Sequence, residues 1–111
     1  MSTQANASIP LACDLSALDE RARAAHLELA GQLMNGGAAE LRELPNGYAL
    51  RYAAGQYDQV ARFIANERLC CPFFTFALEV APAQGPIWLR ITGDAEVKEF
   101  LRSELVQQGL Q

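Results

Sequence analysis

The residues best suited to chemistry in this sequence are three cysteines, Cys13, Cys70 and Cys71, and a glutamate one helical turn before the last of them, Glu67. Thiolate sulfur is polarisable and selects soft ions such as Cu(I), Zn(II), Hg(II) or trivalent arsenic. Neighbouring thiols at the boundary of an element therefore suit a soft metal or metalloid ion. The competing interpretation is that the cysteines only fill core volume, because free cysteine is among the most buried residue types.

Disulfide formation is not the expected state of these cysteines. Three is an odd number, and two of the three are adjacent. The Cα atoms of adjacent residues lie about 3.8 Å apart, below the usual disulfide range of roughly 4.4 to 6.8 Å. The sequence therefore favours free thiols in a reducing compartment. Thiol redox chemistry, with one of the vicinal pair attacking and Cys13 resolving, stays open, although a helix C-terminus and Glu67 both disfavour thiolate.

Glu67 and the single histidine, His26, are the other candidates. Glu67 falls on the helix face that should be apolar, so it is either exposed at the rim of that face or buried. If buried, it should pair with Arg62 or Arg68, or have a raised pKa beside the thiols. His26 lies roughly 15 Å along the first predicted helix from the end that adjoins Cys13. The sequence therefore excludes His26 as a further ligand with Cys13 and predicts a residue at the border of the apolar stripe.

These residues are distributed over helices and hairpins. Apolar spacing predicts helices over 17–34 and 57–71 and a last helix opened by Asp94, with Ser16 capping the first. Two hairpins are predicted over 39–52 and 73–92, the first with positive-φ positions at Asn46 and Gly47. A strand over 8–14 would point Cys13 inward.

The element order β-α-β-β-α-β-β-α predicts an α+β fold, with a mostly antiparallel sheet of about five strands and helices on one face. The helix-hairpin unit occurs twice, over 16–53 and 56–92, which indicates an internal duplication of two αββ units. We expect a disordered tail over 1–7 and a single domain over 8–108.

The sheet face opposite the helices is predicted to present Trp88, Arg90 and Phe73. An open face of this kind favours self-association or docking of a regulatory protein. The alternative function is therefore a protein-interaction or dimerisation domain in which the cysteines are only structural.

Composition excludes several classes of function. The chain has 111 residues, with 13 acidic and 9 basic side chains and a net charge of −4. It lacks the basic field that drives binding to nucleic acid or to anionic membranes. No apolar run approaches the roughly 18 residues of a membrane span, and no basic segment precedes an apolar one at the N-terminus. The sequence predicts a cytoplasmic protein that contacts neither DNA nor membrane.

Several motifs together resemble an uncharacterised family of small bacterial proteins, over residues 9–105. They are E-R-L-C-C-P-F-F-T-F (67–76), L-A-C-D-L (11–15), the P-N-G-Y hairpin and W-L-R-I-T-G. The resemblance implies a stand-alone chain or an extension beside a MerR-type metal-responsive regulator. It also implies a first-strand cysteine and a vicinal pair matching Cys13, Cys70 and Cys71. Nothing in this chain matches the helix-turn-helix of such a regulator, so DNA binding is not implied.

The sequence thus predicts a non-enzymatic thiol module that binds a soft metal or metalloid ion through Cys13, Cys70 and Cys71. Glu67 and Arg68 would lie beside the ligands, with Glu67 setting their protonation. Folding itself should need no ion, because a chain of this length buries a sufficient core. The hypothesis requires Cys13 to lie close to the Cys70–Cys71 corner, with Glu67 facing it.

Overall fold

Helices and strands alternate in the order α1-β1-β2-α2-β3-β4-α3 in a computed structural model that describes residues 12–107. Two short 3-10 turns, Leu15–Ala17 and Ala54–Gln56, precede α1 and α2. The elements are α1 Glu20–Met34, β1 Glu40–Leu44, β2 Gly47–Tyr52, α2 Tyr57–Cys70, β3 Thr75–Val80, β4 Ile87–Thr92 and α3 Ala95–Gln107.

The four strands form one open antiparallel sheet in the order β1-β2-β4-β3. Alternate residues of the two central strands are buried on one face, because successive side chains of a strand point to opposite faces. Helical residues complete the core on that face. It consists mainly of Tyr48, Leu50, Tyr52, Ile87, Leu89, Ile91, Leu29, Leu33, Val60, Phe63, Leu101 and Leu105. The predicted α+β class, with helices on one face of an antiparallel sheet, is confirmed.

The part of the chain that the structure describes contains four strands, so the predicted number of about five is not confirmed. The expected first strand, 8–14, is not a strand over residues 12–14. Residues 8–11 and the predicted tail over 1–7 lie outside the described range. The backbone N–H of Asp14 donates to the carbonyl of Cys70 at 2.6 Å, so this segment bonds to a helix end and not to a sheet edge. Cys13 is consequently exposed, not inward-facing.

The first helix and the first hairpin also differ from the prediction in their details. The cap of α1 is Asp19, whose side chain accepts from the backbone N–H of Ala22 at 2.8 Å, and not Ser16. The first hairpin forms as predicted, but neither Asn46 nor Gly47 has positive φ. Gly47 is required there for another reason. A Cβ at this position would collide with the carbonyl oxygen of Ile91 on the adjacent strand.

The open sheet face carries Trp88 and Arg90, as predicted, but not Phe73. Phe73 precedes β3 and packs edge-to-face on Phe100 of α3, with ring centroids 5.3 Å apart, so it lies on the helical side. On the open face, Arg90 pairs with Glu79 at 2.8 Å, and the Arg42 guanidinium lies 4.7 Å above the Trp88 ring. The face is therefore covered by internally paired charges, not by a continuous apolar patch.

Within the described residues, no helix combines the length and the apolar composition that crossing a membrane requires.

Candidate functional site

The structure joins Cys13 and Cys71 as a disulfide, across a sequence separation of 58 residues and with Cα atoms 4.4 Å apart. The expectation of three free thiols is therefore wrong for this pair. Cys70 remains free and buried, and its sulfur lies 3.9 Å from that of Cys71. The prediction that the adjacent cysteines do not bridge each other is confirmed.

Cys13 reaches this corner because the chain around it is fixed at two points. After it, the turn Leu15–Ala17 is held by Arg23 of α1, which donates to carbonyl oxygens in and just after the turn, both at 3.1 Å. Beside it, Asp14 donates to the carbonyl of Cys70, one of the carbonyl groups that the end of a helix leaves without an intrahelical partner. The predicted proximity of Cys13 to the Cys70–Cys71 corner is confirmed.

Glu67 lies one turn before Cys71 on α2, and the backbone N–H of Cys71 donates to its carbonyl at 2.7 Å. Its side chain is 14% exposed, and its carboxylate accepts a hydrogen bond from Nε2 of His26 at 2.8 Å. The predicted arginine partner is therefore wrong. Arg62 and Arg68 are exposed on α2, whereas the packing of α1 against α2 brings His26 to the carboxylate.

His26 is buried, with 2% of its surface exposed, and does not lie at the border of the stripe as predicted. Its ring stacks on Phe63 with centroids 5.6 Å apart. Because a carboxylate only accepts, Nε2 carries the proton of the bond to Glu67. Nδ1 is buried without a hydrogen-bond partner among the described residues. The signal that sequence reasoning missed is that His26 precedes Leu29 and Leu33 at helical spacing, on the core side of α1.

Two groups of ligand atoms share Glu67. In the first, the sulfurs of Cys13 and Cys71 and a carboxylate oxygen of Glu67 all lie within 4.8 Å of one another. In the second, His26, Glu67 and Cys70 meet the same criterion. The second group is largely buried, and Nε2 of its histidine already donates to its carboxylate. Only the first contains an exposed residue, Cys13, so it is the more accessible place for an ion.

The environment of the free thiol disfavours its ionised form. Burial, with a further contribution from the negative charge of Glu67, raises the pKa of the Cys70 thiol from 9.0 to about 11. Cys70 is therefore neutral at physiological pH unless a cation replaces its proton. This agrees with the expectation that a thiol at the C-terminal end of α2 is not a spontaneously reactive nucleophile.

No family model, curated protein or solved structure matches this chain.

Proposed function

We propose that the protein is a thiol module that captures a soft metal or metalloid ion when the Cys13–Cys71 disulfide is reduced. The two resulting thiols are the principal ligands, and Glu67 is the acidic neighbour that supplies negative charge. The observation that supports the proposal is the compact group formed by the sulfurs of Cys13 and Cys71 and a carboxylate oxygen of Glu67, within 4.8 Å of one another. Sulfur ligands favour soft ions over Mg²⁺ or Ca²⁺.

The disulfide makes capture depend on reduction. A dithiol reductant delivers two electrons and two protons to the Cys13–Cys71 bond and becomes a disulfide itself, leaving two neighbouring thiols. An ion then replaces both thiol protons, so its apparent affinity rises with pH. Cys70 belongs to the buried group with His26 and has a raised pKa, so it contributes less than the other two cysteines.

His26 acts on this site through Glu67. The bond from Nε2 fixes the carboxylate oxygen at 2.8 Å, and stacking on Phe63 fixes the ring. Hydrogen bonds of this kind, outside the ligand set, typically orient a metal ligand and alter metal affinity when removed. His26 is therefore a positioning residue and not a ligand in the proposal.

The experiment is a titration of the reduced protein with Hg(II), arsenite, Cu(I) and Zn(II) under anaerobic conditions, followed by thiolate-to-metal charge-transfer absorbance. At least one soft ion should bind stoichiometrically, and Cys13→Ser and Cys71→Ser should each abolish that binding. Cys70→Ser serves as the matched control and should retain most of it. The proposal is wrong if no ion binds in a cysteine-dependent manner, or if Cys70→Ser has the largest effect.

A second candidate is a thiol-disulfide redox switch, which the Cys13–Cys71 bond itself favours. Here one cysteine of the vicinal pair attacks and Cys13 resolves, and the bond forms and breaks without any ion. The raised pKa of Cys70 disfavours it as the attacking thiolate, which leaves Cys71 for that role. The titration of the wild type separates the two candidates, because a redox switch forms the bond under peroxide while binding no ion.

A further inference from the structure

An apolar cavity of about 80 Å³ adjoins the Cys13–Cys71 pair. Cys13 and Glu67 line it on one side. The rest of its wall comes mainly from the three helices and the segment before β3, including Met34, Phe74 and Phe100. An ion held by Cys13 therefore lies beside a partly open space that is lined mainly by hydrocarbon side chains.

The residues that line the cavity indicate which class of ligand would fit it. Its apolar walls offer water few hydrogen-bond partners, which favours occupation by a hydrocarbon group. Its charged groups are two carboxylates, Glu67 and Glu104, and no Lys or Arg is among the described lining residues. Carboxylates repel an anionic ligand, so the occupant is an apolar group attached to a neutral or cationic centre.

The number of accessible sulfurs narrows the class of ion. Inorganic trivalent arsenic has three exchangeable positions, whereas arsenic that carries one organic substituent has two. The structure brings two sulfurs together, those of the exposed Cys13 and the buried Cys71, and groups Cys70 with His26 and Glu67 instead. Two thiols beside an apolar cavity match an ion with two exchangeable positions and one hydrocarbon group.

We propose that the ligand class is trivalent arsenic bearing one small aryl or alkyl group, bound by Cys13 and Cys71 with its organic group in the cavity. This rests on the function proposed above. In the binding step, R–As=O and two thiols form two As–S bonds. The As=O bond breaks, its oxygen leaves as water with both thiol protons, and arsenic stays trivalent.

The test compares phenylarsine oxide with arsenite on the reduced protein, each in competition with a small free dithiol that corrects for intrinsic arsenic-sulfur affinity. We expect the protein to prefer the phenyl compound by about tenfold or more, because the phenyl group moves from water into the apolar cavity. Ala30→Leu, which adds volume at the cavity wall, should remove this preference. Ala24→Leu, at an exposed position of the same helix, should preserve it.

A second variant covers the case in which Ala30→Leu does not fold. Phe100→Ala removes an apolar wall and should lower the preference severalfold, while Cys13→Ser should abolish binding. Equal corrected affinities for both arsenic compounds, unchanged by the cavity variants, would overturn the inference and leave the proposed function standing. Capture of phenylmercury without phenylarsine oxide would also overturn the arsenic assignment. Absence of cysteine-dependent binding for every inorganic and organic ion would overturn both.

Discussion

His26 of α1 and Glu67 of α2 are joined by a hydrogen bond of 2.8 Å that crosses 41 positions of the sequence. The bond lies where two groups of ligand atoms meet, one with Cys13 and Cys71 and the other with Cys70. It therefore links the packing of α1 on α2 to the position of the carboxylate beside the thiols. The helices and the site cannot be perturbed independently at this point.

Replacing His26 by alanine is expected to lower the free energy of unfolding by about 2–4 kcal/mol. The change removes a donor to a charged group and leaves a cavity where the ring stacks on Phe63. Urea denaturation of the oxidised protein measures the loss. Glu28→Ala, at an exposed position two residues along the same helix, is the control and should change stability by less than about 0.5 kcal/mol. Equal effects of the two variants would contradict the structural role given to the bond.

The disulfide is expected to stabilise the oxidised protein by about 2–4 kcal/mol, because it closes a long loop in the unfolded chain. Thermal unfolding with and without a reductant measures the difference. Cys70→Ser should keep the reductant sensitivity. Its oxidised form should also remain about 2 Da lighter than its fully reduced form, because bridging removes two hydrogens. Cys71→Ser should lose both. Sensitivity that survives in Cys71→Ser would show that Cys13 bridges to Cys70 instead.

The raised pKa of Cys70 predicts how stability depends on pH. The folded state holds the thiol proton more tightly than the unfolded state, so the resulting stabilisation is complete below the ordinary pKa of 9.0 and is lost as pH rises through about 11. The free energy of unfolding should therefore fall more steeply over this range in the wild type than in Cys70→Ala. Denaturant titrations at several pH values measure the two slopes. Parallel slopes would mean that the Cys70 pKa is not raised.

The open sheet face yields a prediction that bears on the interaction-domain alternative. Cross-strand ion pairs and the Arg42–Trp88 contact already satisfy the side chains there, so Trp88→Glu should leave the molar mass in solution unchanged. Light scattering coupled to size-exclusion chromatography measures it. A wild-type dimer that becomes a monomer in Trp88→Glu would identify the face as a dimer interface, since a buried unpaired charge is strongly destabilising.

Local patterns predict much of this fold, and contacts between distant elements account for what they miss. Alternating apolar residues locate β2 and β4, and Pro72 correctly indicates the end of α2, because the residue before a proline avoids helical geometry. The partner of Glu67 depends instead on the rotation of α1 against α2, which neither helix encodes alone. Phe73 does not lie on the open face as predicted, because β3 begins two residues later, at Thr75.

The arrangement of the cysteines, too, is only partly predictable from local sequence patterns. The sequence predicts that Cys13 lies near the vicinal pair, and the disulfide agrees with this, although the inward-facing strand on which the prediction rests does not form over residues 12–14. The direction in which the chain leaves α2 decides which of the two adjacent sulfurs meets Cys13. In the structure Cys71 bonds to Cys13, and Cys70 stays free and buried. Counting cysteines therefore could not distinguish a three-thiol site from a two-thiol site with a separate buried thiol.

X-ray absorption spectroscopy of the reduced protein loaded with one equivalent of Hg(II) tests the central claim most directly, because it counts the sulfur atoms bound to the metal. We expect two sulfur ligands in the wild type and in Cys70→Ser, whereas Cys13→Ser and Cys71→Ser should not retain the ion at one equivalent. An unchanged sulfur count in Cys13→Ser, or coordination by nitrogen and oxygen alone in the wild type, would contradict the claim.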